Sequence, residues 1–510
     1  MASVHQLCTT PVGLPVEETY CQILSNLRSL DQLTSSQTES GDYAQIPSWL
    51  LSILRPSSDL LPPERILEDD DVSPPAALAL FKEISHLAFN ILFRVLGSPL
   101  TKYPGLVPEL ALVLVSHSDA SDSWTTLEVR QLVESVLNDP QECFNAPEIV
   151  VDHILKGTIK PLFATSGLLS TAQRQVTSDG RIALRPSTKR APTLGDTAPP
   201  WRHRHPETTT LLHWAIRTLD ASQIEPSWHL LVPPILTLLD DHYSPSKTRG
   251  CDILTTLLRR LDQQPLPRGG QSLLTRTGLG PVIWDAITPC LLSLPPLTPQ
   301  SHSVPLLKAT YPTLIALSKS MTMGKPTQKE RTKLLDKLIR DGILRGMQFG
   351  GENIHVATTL MELLPTVVDA MGIWSARHLK ELIPMLSDVL SSPFGTTYIP
   401  LLASAVGALK SILRTCWVRI SPWVAEVLRG VCVCWNRIGE EETEKGVEFK
   451  ERADVVEMKR ELRGVVLMLR SAVDGDEEDA GEKMKGLEGE ITSVDERLVG
   501  LFNVQPSDSG

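Results

Sequence analysis

Four short stretches of this chain carry residue types that do chemistry elsewhere. His203-Arg204-His205 offers two imidazoles, and Cys432-Val433-Cys434 offers two thiols at the same spacing. A zinc site needs three or four ligands converging on a tetrahedron, and the histidine pair has no third ligand at useful spacing. On a helix, residues two apart point to different faces, so the cysteines read as buried structural thiols. Asp240-Asp241-His242 has ligands for a cation, yet a turn between two helices already accounts for it. A glycine-rich loop cradles phosphate when it joins a strand to a helix. Gly346-Met347-Gln348-Phe349-Gly350-Gly351 lacks the Gly-Lys-Ser/Thr ending and lies between helical patterns, so an inter-helix turn is expected. There is no Gly-x-Ser-x-Gly elbow and no His-Glu-x-x-His. The chain therefore reads as a non-enzyme, with no catalytic group, cofactor or metal site expected.

The elements that would position such groups are helices. In 228–261, Leu231, Ile235, Leu238 and Leu239 recur at helical spacing before the acidic break Asp240-Asp241. Ser244-Pro245 then supplies an N-cap and a proline in the first turn. Cys251, Leu254, Leu258 and Leu261 make the apolar stripe of a second helix. A proline early in the first helix, an acidic turn and basic residues opening the second are the pattern of a HEAT repeat. One such unit cannot bury its apolar face alone, so neighbours must stack on it. Degenerate copies recur at Leu382-Ile383-Pro384, with a break at Ser392-Pro393, and at Leu106-Val107-Pro108. In the latter, the second helix opens at Thr125-Thr126-Leu127-Glu128 with capping-box spacing. The expected fold class is all-α, a HEAT-like (armadillo-type) solenoid of stacked antiparallel helix pairs.

Composition agrees with that reading. The chain has 510 residues, more than one globular domain usually holds, so several domains or an elongated array is expected. Apolar residues make up 42% but aromatics only 5%, and no run of alternating β-branched residues suggests a sheet. The 39 prolines fit many short helices with prolines at starts and in connections. A net charge of −11 argues against a broad nucleic-acid surface. The best membrane candidate, 76–96, contains Lys82, Glu83, His86 and Arg94, too much charge for a bilayer span. No signal segment opens the chain, and the eight cysteines are scattered, which suits reduced thiols in cytosol or nucleus.

Four regions follow. Residues 1–171 form an N-terminal helical half. Residues 172–206 are aperiodic, rich in Pro, Ser and Thr, and basic, and are expected to be a disordered insertion. Residues 207–438 form a C-terminal helical half. From 439 onward the sequence predicts one exposed amphipathic helix, striped by Val455, Met458, Leu462, Val465, Val466 and Leu469. A largely disordered acidic tail is expected beyond it.

The C-terminal half also resembles a known family. The run His213-Trp214, then Glu225-Pro226-Ser227-Trp228-His229-Leu230, then Pro233 through Asp241 and Lys247-Thr248-Arg249-Gly250-Cys251 is similar to the Tti-two family, the Tel-two-interacting proteins, in a fungal-like variant. Further blocks agree: Thr277 to Gly280, Ala286 to Leu291, Pro305 to Pro312, Arg377 to Pro384, Asp388 to Leu390, Pro393 to Thr396 and Gly430 to Trp435. The resemblance implies a scaffold subunit of the TTT complex with Tti-one and Tel-two homologues. It implies work with the Hsp-ninety system and its Rvb-containing cochaperone to mature and stabilise phosphatidylinositol-kinase-related kinases, the ATM, ATR, DNA-PK and TOR class. Cytoplasm and nucleus are the implied locations. A different helical-repeat adaptor, such as a transport receptor, is the competing reading, though regular tandem repeats are absent.

Binding to Tti-one is expected mainly through the matching half. The contact groups expected are polar residues at helix ends and turns, among them Asp240, Asp241, Lys247, Arg249, His378 and Lys380. Trp214, Trp228, Trp284, Trp374, Trp417, Trp423 and Trp435 also lie near helix ends, and each fills a core or anchors an interface.

Overall fold

Apolar residues recur at helical spacing from end to end, and in the computed structural model these stripes are wound into helices. The structure describes residues 4–11, 14–36, 45–61, 76–97, 100, 103, 105–142, 144–164, 175–176, 182–183, 199–263, 272–323, 328–474 and 480–503. Among them the fold is all-α. The one departure is a two-residue antiparallel pairing of Gln175–Val176 with Ile182–Ala183. Most of the 172–206 insertion, and with it the expectation of disorder there, lies outside the described residues. The chain divides into two units, 1–240 with 259–264 and 241–258 with 265–510.

In the first unit, α1 (Val16–Ser36), α2 (Gln45–Ile53) and α3 (Ala76–Leu96) pack together. Arg28–Glu83 at 2.5 Å and Arg94–Asp31 at 2.8 Å bridge α1 and α3. Two of the four groups that disqualified 76–96 as a membrane span, Glu83 and Arg94, therefore have ionic partners. By length and composition alone, 76–96, 354–390 and 399–419 are apolar enough to cross a membrane, and at least half of each apolar window is buried inside the protein. α4 (Val107–Ser116) and α5 (Leu127–Leu137) form the expected hairpin. The cap of α5 falls one residue later than the capping-box spacing suggested. Thr126 is extended and its hydroxyl accepts from Val129 N, leaving Thr125 outside the helix. α6 (Glu148–Ile159) is wound as a π-helix, and α7 (Thr208–Thr218) and α8 (Trp228–Asp240) pack on it. His213 Nδ1 meets Asp119 at 3.0 Å and Thr210 donates to Asp122, tying α7 to the α4–α5 turn.

In the second unit, α9 (Ser244–Asp262, of which 244–258 belong here), α10 (Leu279–Ile287) and α11 (Gln300–Thr322) open the fold. Next come α12 (Gln328–Lys337), a π-helical segment Leu338–Leu344, and α13 (Arg345–Gly350). They are followed by α14 (Ile354–Met371), α15 (Leu379–Leu390), α16 (Ile399–Cys416), α17 (Val424–Lys445) and α18 (Ala453–Asp474). α11, α14, α16 and α18 pack in a row, each on the next, while α15 and α17 pack beside one another and the α15–α16 hairpin is antiparallel. This is HEAT-like stacking of helix pairs. Polar bonds cross these seams: Lys308 pairs with Glu362 between α11 and α14, and Thr313 Oγ1 donates to the Cys251 carbonyl between α9 and α11. Ser411 donates to Asp369 between α14 and α16, Lys410 pairs with Glu461 between α16 and α18, and Ser387 donates to the Glu426 carbonyl between α15 and α17.

Several expectations need correction. The helix expected to open with Ser244 as its cap starts one residue earlier, since Ser246 N and Lys247 N both bond the Tyr243 carbonyl. Prolines also sit inside helices, at Pro233, Pro234, Pro305, Pro312, Pro365 and Pro384, and not only at starts and connections. The stretch 346–350, expected as a turn, is helical α13. Gly346 lets α13 approach Leu360 so closely that a Cβ would lie 2.8 Å from its Cδ1. The amphipathic helix after 439 is not exposed on its own: its six-residue stripe is fully buried against α16 and α17. Nor is the described tail, 480–503, disordered. α19 (Ala480–Val494) and the segment 496–502 pack on α17 and α18. Arg470 grips Glu488 through two bonds of 2.8 Å, and Trp435 Nε1 donates to the Arg497 carbonyl. Met484, Leu498, Leu501 and Phe502 are buried; Met484 stands alone among charged residues, and the other three fill one short turn, too brief to register as a stripe.

Candidate functional site

The six polar residues read from the sequence as partner contacts lie in quite different settings. Asp240 is exposed at the end of α8, and Lys380 is exposed in the first turn of α15. Lys247 and Arg249 are half-buried on α9. Asp241 is a structural group: its carboxylate is 7% exposed, meets His242 Nδ1 at 3.2 Å and accepts from Tyr243 N at 3.5 Å, closing the turn into α9. His378 is also structural and not a surface group. It is buried, with Nε2 2.8 Å from Asp336 Oδ1, while Arg377 takes the other carboxylate oxygen at 2.9 Å. That double grip pins the 372–378 corner to α12. Charge at a helix end draws a sequence reading toward the surface, but here the partner sits on a neighbouring helix some forty residues away.

Reactive chemistry is not assembled from the motifs. Burial pushes the thiols of Cys432 and Cys434 up to about 12, and lifts those of Cys251, Cys290 and Cys416 as well. Thiols held protonated are poor nucleophiles and poor metal ligands. Among the described residues no three His, Cys, Asp or Glu side chains converge for a metal, and His205 of the histidine pair is taken up by Glu207 at 3.3 Å.

What the structure adds is the sorting of the tryptophans. Trp214, Trp284 and Trp435 are buried, and Trp228 and Trp423 are half-buried. Trp374 and Trp417 are 47% and 43% exposed. Each sits in a short 3-10 corner, Gly372–His378 after α14 and Trp417–Arg419 after α16. Periodicity cannot find them, because these corners interrupt the helical repeat. On another edge, a groove of about 550 Å3 lies between α13 and α15, lined by Met347, Met385, Val389 and Leu401. Exposed Phe349 sits on α13, and exposed Phe394 follows α15. Helix ends bearing large apolar groups suit the capture of other proteins better than the turnover of a small substrate.

Comparison with known proteins bears on which helical family this is. Crystal structures of importin beta are similar over 96% of this chain at 12% identity, with TM-scores of 0.38 and 0.41. The structure titled "Kap95:Nup1 complex" is similar over the whole chain at 12% identity, TM-score 0.40. This chain spans 62%, 59% and 55% of those three chains' lengths. Likenesses so distant bear on neither partner nor function. The sequence model of the Tti2 family, in contrast, matches residues 110–397, more than half of the chain and most of its helical core. On that match, this all-α protein of stacked helix pairs belongs to the Tti2 family.

Proposed function

We propose that this protein is a non-catalytic scaffold subunit of a TTT complex, binding Tti-one and Tel-two homologues in cytoplasm and nucleus. In this role it supports the maturation and stability of phosphatidylinositol-kinase-related kinases together with the Hsp-ninety and Rvb-containing machinery. Family membership over 110–397 carries the reading. The architecture supports it: a row of helix pairs offers a long surface, and its exposed apolar groups lie at corners and grooves between helices. The Cys432 and Cys434 thiols, which their spacing offers to chemistry, are buried inside the protein, and His378 is used there to hold Asp336. Rapid depletion of this chain tests the role. Kinases of the ATM and TOR class should fall in abundance while their transcripts hold steady. Unchanged kinase levels after complete depletion would contradict it.

A further inference from the structure

The corners 372–378 and 417–419 lie side by side. Ser375 Oγ is 3.1 Å from Cys416 Sγ, and both corners pack on α16. The immediate neighbours of those two residues, Trp374 and Trp417, are the exposed tryptophans. Ile373 and Val418, next along the chain, are 49% and 41% exposed. Four large apolar side chains thus share one edge of the second unit, where helix corners usually present polar groups. Beside Trp417 a groove of about 560 Å3 runs between α16 and α18, lined by Leu413, Leu467, Met468 and Ala472. Three arginines and two aspartates stand at this edge, a small positive excess. The Arg377 guanidinium lies 5.4 Å over the Trp374 ring. Arg377 and Arg414 each hold one carboxylate, of Asp336 and Asp369, with side chains 43% and 64% exposed. Arg419 is exposed and makes no ion pair among the described residues.

We propose that this edge docks an amphipathic helix of a partner protein whose apolar face is flanked by acidic residues. Trp and Arg are the side chains that most often dominate binding energy at interfaces. An amphipathic helix would lay its anchors in the groove and against the two indoles. The exposed guanidiniums have N–H donors left over for carboxylates, and Arg419 has all of its own. The proposal rests on the complex-subunit reading above, of which it specifies one contact surface.

The test uses the full-length chain and its purified Tti-one homologue, with affinity measured by calorimetry at two salt concentrations. W374A/W417A should weaken binding by about tenfold or more. R419E should weaken it too, and should flatten its salt dependence. L297A, at a side chain 93% exposed and outside both grooves, should bind as the wild type does. Thermal unfolding of each variant separates lost binding from lost fold, and R419E, at an exposed position, keeps the test decisive if the double variant is unstable. If the wild type binds and neither W374A/W417A nor R419E changes the affinity, the docking edge is wrong and the complex reading stands. If the wild type does not bind Tti-one at all, both fall. A wild type that forms dimers abolished by W374A/W417A would show a second copy on this edge and overturn the proposed occupant.

Discussion

At the scale of single residues, the polar groups that look functional in the sequence are mostly used inside the fold. His117 is fully buried, and its Nε2 bonds the Leu54 carbonyl at 2.9 Å between the rings of Phe81 and Phe89. Desolvation pulls its pKa down from 6.5 to about 4. The folded protein therefore binds fewer protons than the unfolded chain between those values, and stability falls as pH drops through that window and levels off below it. The full effect is about 3 kcal/mol at most. His117→Gln keeps a donor for Leu54 but does not titrate, so urea midpoints measured from pH 7 to pH 4 should decline less steeply in the variant. Equal slopes would contradict the assignment. Asp336 is held by both Arg377 and His378, so Asp336→Ala leaves a buried imidazole without its acceptor and should cost about 1–3 kcal/mol in denaturant unfolding. A Cβ at Gly342 would collide with the hydroxyl of fully buried Tyr311, so Gly342→Ala should cost about 1–3 kcal/mol through overpacking. None of these three contacts was readable from the sequence, because each joins residues thirty or more positions apart.

Single helices were the most legible level. The breaks expected near Asp240–Ser244 and Ser391–Pro393 are where helices end and resume, because acidic turn residues, Pro and Gly stop the helical ladder there. Leu238, Leu254 and Leu258 are buried as their spacing implied. Truncating Leu254 to Ala should cost about 2–5 kcal/mol of unfolding free energy, and an unchanged unfolding midpoint would contradict its packing. The tail was illegible for a physical reason. Its buried apolar residues are one isolated Met484 and a single short turn, Leu498, Leu501 and Phe502, and much of its grip is Arg and Trp donors on backbone carbonyls, which leave no pattern of side chains. Leu501→Ala tests that packing: a loss of about 2–5 kcal/mol is expected, whereas a disordered tail would tolerate the change.

For the whole molecule, the all-α architecture followed from leucine-rich periodicity, and the family followed from the blocks in the C-terminal half together with a match that reaches back to residue 110. The candidate surface was only half legible. The sequence pointed to helix ends, but it favoured charges such as His378 and Asp241 that the fold buries, and it could not separate Trp374 and Trp417 from the core tryptophans. What decides exposure is which neighbouring helix covers a corner, a property of tertiary packing alone. The most direct measurement is therefore of company kept: purification of the full-length chain from native extract, followed by quantitative mass spectrometry and sizing. Tti-one and Tel-two homologues should co-purify in fixed proportion to it and elute in one complex. Recovery of the chain without them, or with nuclear-pore and cargo proteins in their place, would contradict the account.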